Sequence, residues 1–360
     1  MGIDDLRRRI DAIDEQLLDL LDRRAHAAAE IGGEKKASAQ PSHDPGREER
    51  LLERLEQQLA ERPDAIFPVG SVRPVFRQII SACLALQQPI SVAYLGPPGT
   101  FTHMAALSSF GLAARYVEAT TIAAVFDAVG RGTASYGIVP IENSTEGGVT
   151  FTLDCLLDSD VRIRGEIVLD VNQCLVGRHD DIGRIQRVYS HPQALAQCRG
   201  WLADNVPSAQ LVVSPSTSTA AREAAADDEA AAVASRLAAE LQGLSVIREP
   251  IQDRPQNATR FVLLAPEDAP RSGTDKTSLV FSAPHERGAL KRSLEIFDDE
   301  GINLTRIESR PGRGRMWEYV FFTDLEGHRA NAPVARALDK LAQHCAMVKV
   351  LGSYPRAVRA

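Results

Sequence analysis

Aromatic side chains make up only 5 % of this 360-residue chain, and its five cysteines are odd in number and scattered, at Cys83, Cys155, Cys174, Cys198 and Cys345. That spacing matches neither a disulfide framework nor a zinc pattern, so no metal is expected. No apolar run is long enough to span a membrane. The opening Met1-Gly2-Ile3-Asp4-Asp5 is acidic and lacks the basic-then-apolar order of a signal peptide. Leu6 stands where a myristoylation motif after Gly2 requires Ser or Thr. The net charge is −7 with no dominant basic block, which argues against nucleic-acid binding. The expectation is a reduced, cytoplasmic protein that engages neither membrane nor nucleic acid and needs no cofactor.

What is present falls into three textures. Residues 1–88 are helix-rich. Residues 91–267 alternate short apolar runs (Ser91–Leu95, Tyr136–Ile141, Arg187–Ser190, Gln210–Val213, Phe261–Leu264) with helical stretches, the signature of an α/β domain with ligands at its strand ends. Within it the Ala-rich tract 220–239 reads as helix, with Ala230–Ser235 as an alternative buried strand. A Pro/Gly/Asp/Ser-rich linker near Glu267–Lys276 precedes residues 276–355, which read as strand Thr277–Ser282, helix Arg287–Glu300, strands Ile302–Ser309 and Met316–Asp324, helix Ala332–Gln343 and strand Ala346–Leu351. That is the βαββαβ order of a ferredoxin-like α+β module.

In the first segment, Leu6, Ile10, Ile13, Leu17, Leu20, Arg24, Ala27 and Ile31 repeat at alternating spacings of four and three, which predicts one long helix with a coiled-coil-like seam. Arg24, Ala28, Ile31 and Lys35 share one face. Asp44-Pro45 predicts a capped second helix bearing Arg47 and Glu48. A third helix from near Ser71 aligns Phe76, Ile80, Cys83 and Gln87. Singly, each polar residue is explained by a solvated helix face. As a set, Arg7, Arg24, Lys35, Arg47, Glu48 and Gln87 resemble the all-helical chorismate mutase class. Its Claisen rearrangement requires only that a compact conformer be held and charge on the ether oxygen be stabilised. The resemblance implies Arg7, Arg24 and Arg47 for the carboxylates of chorismate, Lys35 and Gln87 for the ether oxygen, and Glu48 for the ring hydroxyl, with Asp44 and Cys83 lining the pocket. Arg7 and Lys35 on one straight helix stand roughly 42 Å apart at ~1.5 Å per residue. Arg7 must then serve a partner chain, so a homodimer or higher homo-oligomer is expected. Gly32-Gly33 lowers helix propensity just before Lys35 and favours a competing reading, an arm that only dimerises.

In the second segment, Gly96-Pro97-Pro98-Gly99-Thr100-Phe101-Thr102 follows a strand. Val139-Pro140-Ile141-Glu142-Asn143-Ser144 ends another in polar groups. Ser190-His191-Pro192-Gln193 and Ser216-Thr217-Ser218-Thr219 repeat the arrangement. Asn257-Ala258-Thr259-Arg260-Phe261 opens an apolar run with polar groups that need partners if buried. Each alone suits a helix cap; together they suggest one cleft. The combination resembles prephenate dehydratase, a two-lobed α/β fold like a periplasmic binding protein. Conversion of prephenate to phenylpyruvate expels CO2 and the ring hydroxyl, so neutral donors suit the site better than an Arg clamp on the departing carboxylate. The resemblance implies the essential role for Thr259, with Asn143, Ser144, Ser190, Gln197, Thr217, Asn257, Arg260 and Phe261 around prephenate. Glu142 is read either as an acid with a raised pKa or as a turn cap. His191 is expected to shape the turn before Pro192.

In the third segment, Gly288-Ala289-Leu290 and Glu308-Ser309-Arg310-Pro311 resemble the two motifs that frame L-phenylalanine in the ACT regulatory domain of prephenate dehydratases. Feedback inhibition by L-phenylalanine is the implied function, although Lys291 departs from the apolar residue usual there. The chain is thus expected to be multidomain: an all-α mutase arm, a two-lobed α/β dehydratase and an α+β regulatory module. A non-catalytic sensor with a DNA-binding head is the alternative, which the long first helix, acidic at its start, does not suit.

Overall fold

The computed structural model describes residues 2–38, 43–312 and 319–357, so the start of the expected strand at Met316 lies outside the described residues. The described chain separates into two compact units, one of residues up to Ser91 with Leu107–Arg115, the other of Val92–Ala106 with Tyr116 onward.

In the first unit, helix α1 runs unbroken over Ile3–Ala37, with Asp4 and Asp5 in its first turn and Lys35 and Lys36 in its last, charges that complement the helix dipole. Gly32 and Gly33 do not interrupt it. Gly32 is instead a packing requirement: a Cβ there would lie 2.9 Å from the Cα, Cβ and Cγ of Gln87. Helix α2, Pro45–Ala60, starts with Asp44 accepting the Arg47 backbone N–H at 3.0 Å. Helix α3, Val72–Gln87, follows a single 3-10 turn. The stretch Val69–Gln87 is long and apolar enough to suit a membrane by composition. Here it carries Arg73, paired with Glu49 and Glu56 at 2.6 and 2.9 Å, and buries Ile80, Cys83 and Leu84 within the unit. The N-terminal part of the α1 seam stays exposed: Leu6 is 43 %, Ile10 57 % and Leu17 50 % accessible.

The second unit begins with a mixed sheet. Its elements are β1 (Ser91–Leu95), α4 (Phe101–Phe110), β2 (Arg115–Ala119), α5 (Ile122–Gly130), β3 (Tyr136–Asn143), β4 (Gly147–Gly148), α6 (Thr150–Asp158) and β5 (Arg162–Asp170). The chain then crosses to a second lobe. That lobe comprises β6 (Cys174–Gly177), β7 (Arg187–Ser190), α7 (Pro192–Gln197), α8 (Arg199–Asn205), β8 (Gln210–Val213), α9 (Thr217–Ala224), β9 (Ala230–Ala234), α10 (Arg236–Gln242) and β10 (Ser245–Arg248). It returns to the first lobe as β11 (Ala258–Ala265). The first sheet has the order β2-β1-β3-β11-β5 with β4 paired to β3, and the second β10-β6-β9-β7-β8. The Ala-rich tract divides into helix and strand. β9 is buried at every position, and Ala220, Ala221 and Ala224 of α9 are fully buried, so small side chains allow helix and sheet to approach closely.

The register of β11 on β3 decides the site. Thr259 lies opposite Asn143 and Arg260 opposite Glu142. Since side chains alternate across a strand, each pair faces one side of the sheet.

The remaining elements are β12 (Asp275–Ser282), α11 (Ala289–Asp299), β13 (Leu304–Pro311), β14 (Tyr319–Glu326), α12 (Ala332–His344) and β15 (Met347–Pro355), with sheet order β13-β14-β12-β15. This is the expected βαββαβ module. Alternation along β12 sends Leu279 and Phe281 into a core with Phe297, Val334 and Leu341 of the two helices. Val280 faces the opposite side, into the core that contains Val139, Ile163 and Leu264 of the first lobe. Gly352 permits that second contact, because any Cβ there would collide with the Ile163 backbone.

Candidate active sites

In the helical unit, one pocket is lined by Arg24, Ile31 and Lys35 of α1, by Asp44 with Arg47 and Glu48 of α2, and by Cys83 and Gln87 of α3. Seven of the eight residues assigned to chorismate therefore converge, and Arg7 does not. Arg7 is exposed near the far end of α1, 3.5 Å from Asp4. The pocket has three cations for a dicarboxylate, and the Gln87 Oε1 is buried with no hydrogen-bond partner. Asp44 spends one oxygen on the cap of α2. His43, which the sequence reading missed, is 2 % exposed and places its Nε2 3.4 Å from the Glu48 carboxylate, which fixes where Glu48 points.

The second site is the cleft between the two α/β lobes. Thr100–Thr102, Pro140, Asn143, Glu146–Val149, Thr259 and Phe261 line it from the first lobe. His191, Gln193, Gln197 and Pro215–Thr217 line it from the second. The turn after β1 is held across the cleft, since Ser235 donates to the Gly99 carbonyl at 2.7 Å and Ser218 donates to that of Pro98. Gly99 has φ +91 and a Cβ there would sit 2.9 Å from the Ser218 hydroxyl, so both conformation and proximity require glycine.

Among the described residues no Lys or Arg lines the part of the cleft that holds Thr259, where the titratable side chains are Glu146 and His191; Arg254 and Asp253 line the adjoining recess beyond Glu146, Gln193 and Gln197. His191 caps α7, its Nδ1 accepting the Gln193 N–H at 3.3 Å. Asn143 and Thr259 are both 9 % exposed, and the Asn143 amide donates to the Thr259 hydroxyl at 2.9 Å. Asn143 also donates to the Asn257 Oδ1 at 2.9 Å, Asn257 donates to the Gln197 Oε1 at 3.1 Å, and Gln197 donates to the Glu146 carboxylate at 3.3 Å. Thr217 faces the cleft from the start of α9, beside the Ser216 cap. Gln173, a residue missed from sequence, is 3 % exposed with its Oε1 unpartnered at the cleft wall. Its only sequence signal is a polar residue beside the buried Cys174–Gly177 run.

Asn257 lines the adjoining recess beside Gln197, and four further assigned residues lie away from the cleft. The Ser190 hydroxyl is fully buried and donates to the Val233 carbonyl at 2.6 Å, joining β7 to β9. The Ser144 hydroxyl accepts the Ala258 N–H at 3.0 Å, tying the end of β3 to β11. Glu142 and Arg260 occupy the sheet face opposite Asn143 and Thr259. The Arg260 guanidinium lies 2.7 Å from Asp324, 3.4 Å from Glu166 and 3.5 Å from Glu142. Glu142 also stands 3.5 Å from Arg306 of β13. Neither charge reaches the cleft, because strand alternation turns both toward the C-terminal module.

In that module, Gly288 caps α11 in the left-handed region at φ +79, and Ala289 is buried while Leu290 is half-buried. Along β13, Glu308 pairs with Arg306, and Arg310 donates to the Thr150 carbonyl at 2.6 Å and lies 3.2 Å from Asp154. Ser309 and Pro311 point the other way, into solvent. Elsewhere, burial pushes the Cys174 and Cys198 thiols up to about 12, which keeps them protonated.

Family models match in the order in which the domains were read: chorismate mutase type II over residues 6–88, prephenate dehydratase over 92–269 and the ACT domain over 277–343. The chain is 46 % identical to the bifunctional chorismate mutase/prephenate dehydratase of Aquifex aeolicus over 98 % of both chains. It is 43 % identical to that of Pseudomonas aeruginosa over 98 % of this chain and 97 % of the relative. A crystal structure of Arthrobacter aurescens prephenate dehydratase in complex with L-Phe superposes with a TM-score of 0.69 at 38 % identity, covering 75 % of this chain and 93 % of that one. With full-length identity at that level and both catalytic domains followed by the ACT domain, the chain belongs to the bifunctional chorismate mutase/prephenate dehydratase family.

Proposed function

We propose that the helical pocket performs the mutase step and that the interlobe cleft dehydrates prephenate with Thr259 as its hydroxyl donor. The observation that carries the second assignment is a buried threonine hydroxyl facing a part of the cleft that no Lys or Arg lines among the described residues. In that step the ring C–O bond breaks and its electron pair leaves on oxygen. The C–C pair to the ring carboxylate closes the aromatic ring as CO2 departs. The proton that completes water passes through the Thr259 hydroxyl and is replaced from solvent. Neutral surroundings at Thr259 leave the carboxylate free to go, while a donor aimed at the leaving oxygen stabilises the charge that develops there. Asn143, Asn257 and Gln197 orient the donor; Phe261 and Thr217 shape the wall. Arg260, Glu142, Ser144 and Ser190 act on the framework rather than on prephenate.

In the mutase pocket, Arg24 and Arg47 meet the carboxylates of chorismate, and Lys35 with Gln87 meets the ether oxygen. Arg7 completes the pocket of a second copy. Its distance from Lys35 along α1 and the exposed Leu6–Leu17 seam support a homodimer. L-Phenylalanine acts as effector through Gly288–Leu290 and Glu308–Pro311, supported by the L-Phe complex of the Arthrobacter enzyme. Supplying chorismate and following prephenate and phenylpyruvate, with and without L-phenylalanine, tests the whole reading. Sequential formation of both products is expected, and turnover of neither substrate overturns it.

A further inference from the structure

Thr145 follows Asn143 by two residues in the β3–β4 turn, and its backbone N–H and hydroxyl both donate to the Asn143 Oδ1, at 3.0 and 2.5 Å. A backbone N–H only donates, so the atom it meets is the amide oxygen, and the closer Thr145 hydroxyl supplies the second and shorter bond that holds the carboxamide in that orientation. On its other side, the Asn143 nitrogen faces two acceptors, the Ala258 carbonyl at 3.4 Å and the Asn257 Oδ1 at 2.9 Å. The same nitrogen meets the Thr259 Oγ1 at 2.9 Å. The Thr259 oxygen must therefore accept from Asn143. No acceptor for the Thr259 hydroxyl hydrogen occurs among the described residues, and the side chain lines the cleft. The remaining hydrogen is thereby left for whatever occupies the cleft.

We propose that Thr145 is a positioning residue for dehydration: by locking the Asn143 carboxamide it sets the direction of the Asn143–Thr259 hydrogen bond, so that Thr259 donates to the leaving hydroxyl and never to its neighbour. The inference rests on the reading of the cleft as the dehydratase site. The polarity matters because a threonine free to choose would donate to any adjacent acceptor, and the leaving oxygen would depart unassisted. The chain is anchored at both ends by groups with one role each, the Thr145 N–H as donor and the Glu146 carboxylate as acceptor from Gln197.

Three variants test this, each assayed for prephenate turnover with the chain's chorismate mutase rate as the folding control. Thr145→Val replaces the hydroxyl with a methyl that also excludes water. It is expected to lower dehydratase kcat about ten-fold, as for the loss of roughly 1.4 kcal/mol, with KM within two-fold. Thr145→Ser should restore kcat to within two-fold. Asn143→Asp removes the donor and forces Thr259 to donate inward, so kcat should fall at least a hundred-fold at neutral pH. It should then rise as pH falls and the new carboxyl regains a proton that it can donate. Wild-type kcat in Thr145→Val, or equal losses in the Val and Ser variants, would overturn the assignment. So would an Asn143→Asp profile parallel to wild type. Failure of the wild-type chain to consume prephenate would instead remove the dehydratase reading itself.

Discussion

The Arg260 guanidinium lies 2.7 Å from the Asp324 carboxylate, an ion pair in which both side chains are nearly inaccessible, at 12 % and 3 %. It joins β11, the strand of Thr259, to β14 of the regulatory module. Ser278 donates to Asp324, Lys276 lies 2.8 Å from Glu166, and Glu142 lies 3.5 Å from both Arg260 and Arg306, so this junction gathers charges of both signs. Burial alone would raise the Asp324 carboxyl, but Arg260, Ser278 and Arg306 outweigh it and hold it below the usual carboxylate range.

Removing Arg260 leaves Asp324 and Glu166 buried with less positive charge. Arg260→Met should destabilise the second unit by about 3–5 kcal/mol, the usual result of breaking one side of a buried pair. Asp324→Asn, which keeps an acceptor, should cost less. Denaturant melts read both. Mutase turnover should persist in each, and equal stability of Arg260→Met and wild type would contradict the assignment.

The same pair gives a pH dependence. A carboxyl whose folded pKa is depressed contributes stability above its unfolded value, roughly 3.9, and loses it as pH falls through the lower folded value. The stability margin of wild type over Asp324→Asn should be constant above about pH 5 and shrink below pH 4. Melts between neutral pH and pH 3 check this, and a margin unchanged across that range would exclude it.

Much of this was legible in the sequence. The heptad seam, the Asp44-Pro45 start of α2 and the βαββαβ order were readable because each rests on local spacing or capping. Among the strands that escaped reading are β2 and β5, whose Arg115, Glu118, Arg162, Arg164 and Glu166 mask the strand pattern. In β5 the charges are tolerated because their partners come from elsewhere: Glu166 meets Lys276, and Arg164 donates to the Asp268 carbonyl at 2.7 Å. For the same reason Glu142 and Arg260 looked like cleft residues. A motif records that polar groups are adjacent, whereas only strand register tells which face each one takes.

Gly32 illustrates the opposite error. By propensity it weakens α1, yet it is where α1 and α3 touch beside the mutase pocket. Gly32→Ala should improve helix propensity and still lower chorismate mutase kcat/KM about ten-fold or more, because the added methyl displaces Gln87 at an overpacking cost of roughly 1–3 kcal/mol. Dehydratase turnover in the same protein should stay within two-fold. Unchanged mutase kinetics would show that Gln87 yields without consequence.

Gly148 lines the dehydratase cleft, and a Cβ there would collide with the Glu308 carboxylate. The β3–β4 hairpin beside the cleft therefore lies against Glu308 of β13. Gly148→Ala should reduce dehydratase kcat about ten-fold, the loss corresponding to roughly 1.4 kcal/mol, and blunt the response to L-phenylalanine. Rate assays across an effector titration read both, and a wild-type response would remove this contact from the coupling.

The central claim is that two independent sites act in sequence and that Thr259 serves only the second. It is tested most directly by giving Thr259→Val chorismate and following both products. The account predicts that prephenate accumulates at the wild-type rate while phenylpyruvate stays at the uncatalysed level. Phenylpyruvate formation near the wild-type rate, or loss of both activities in a folded protein, would contradict it.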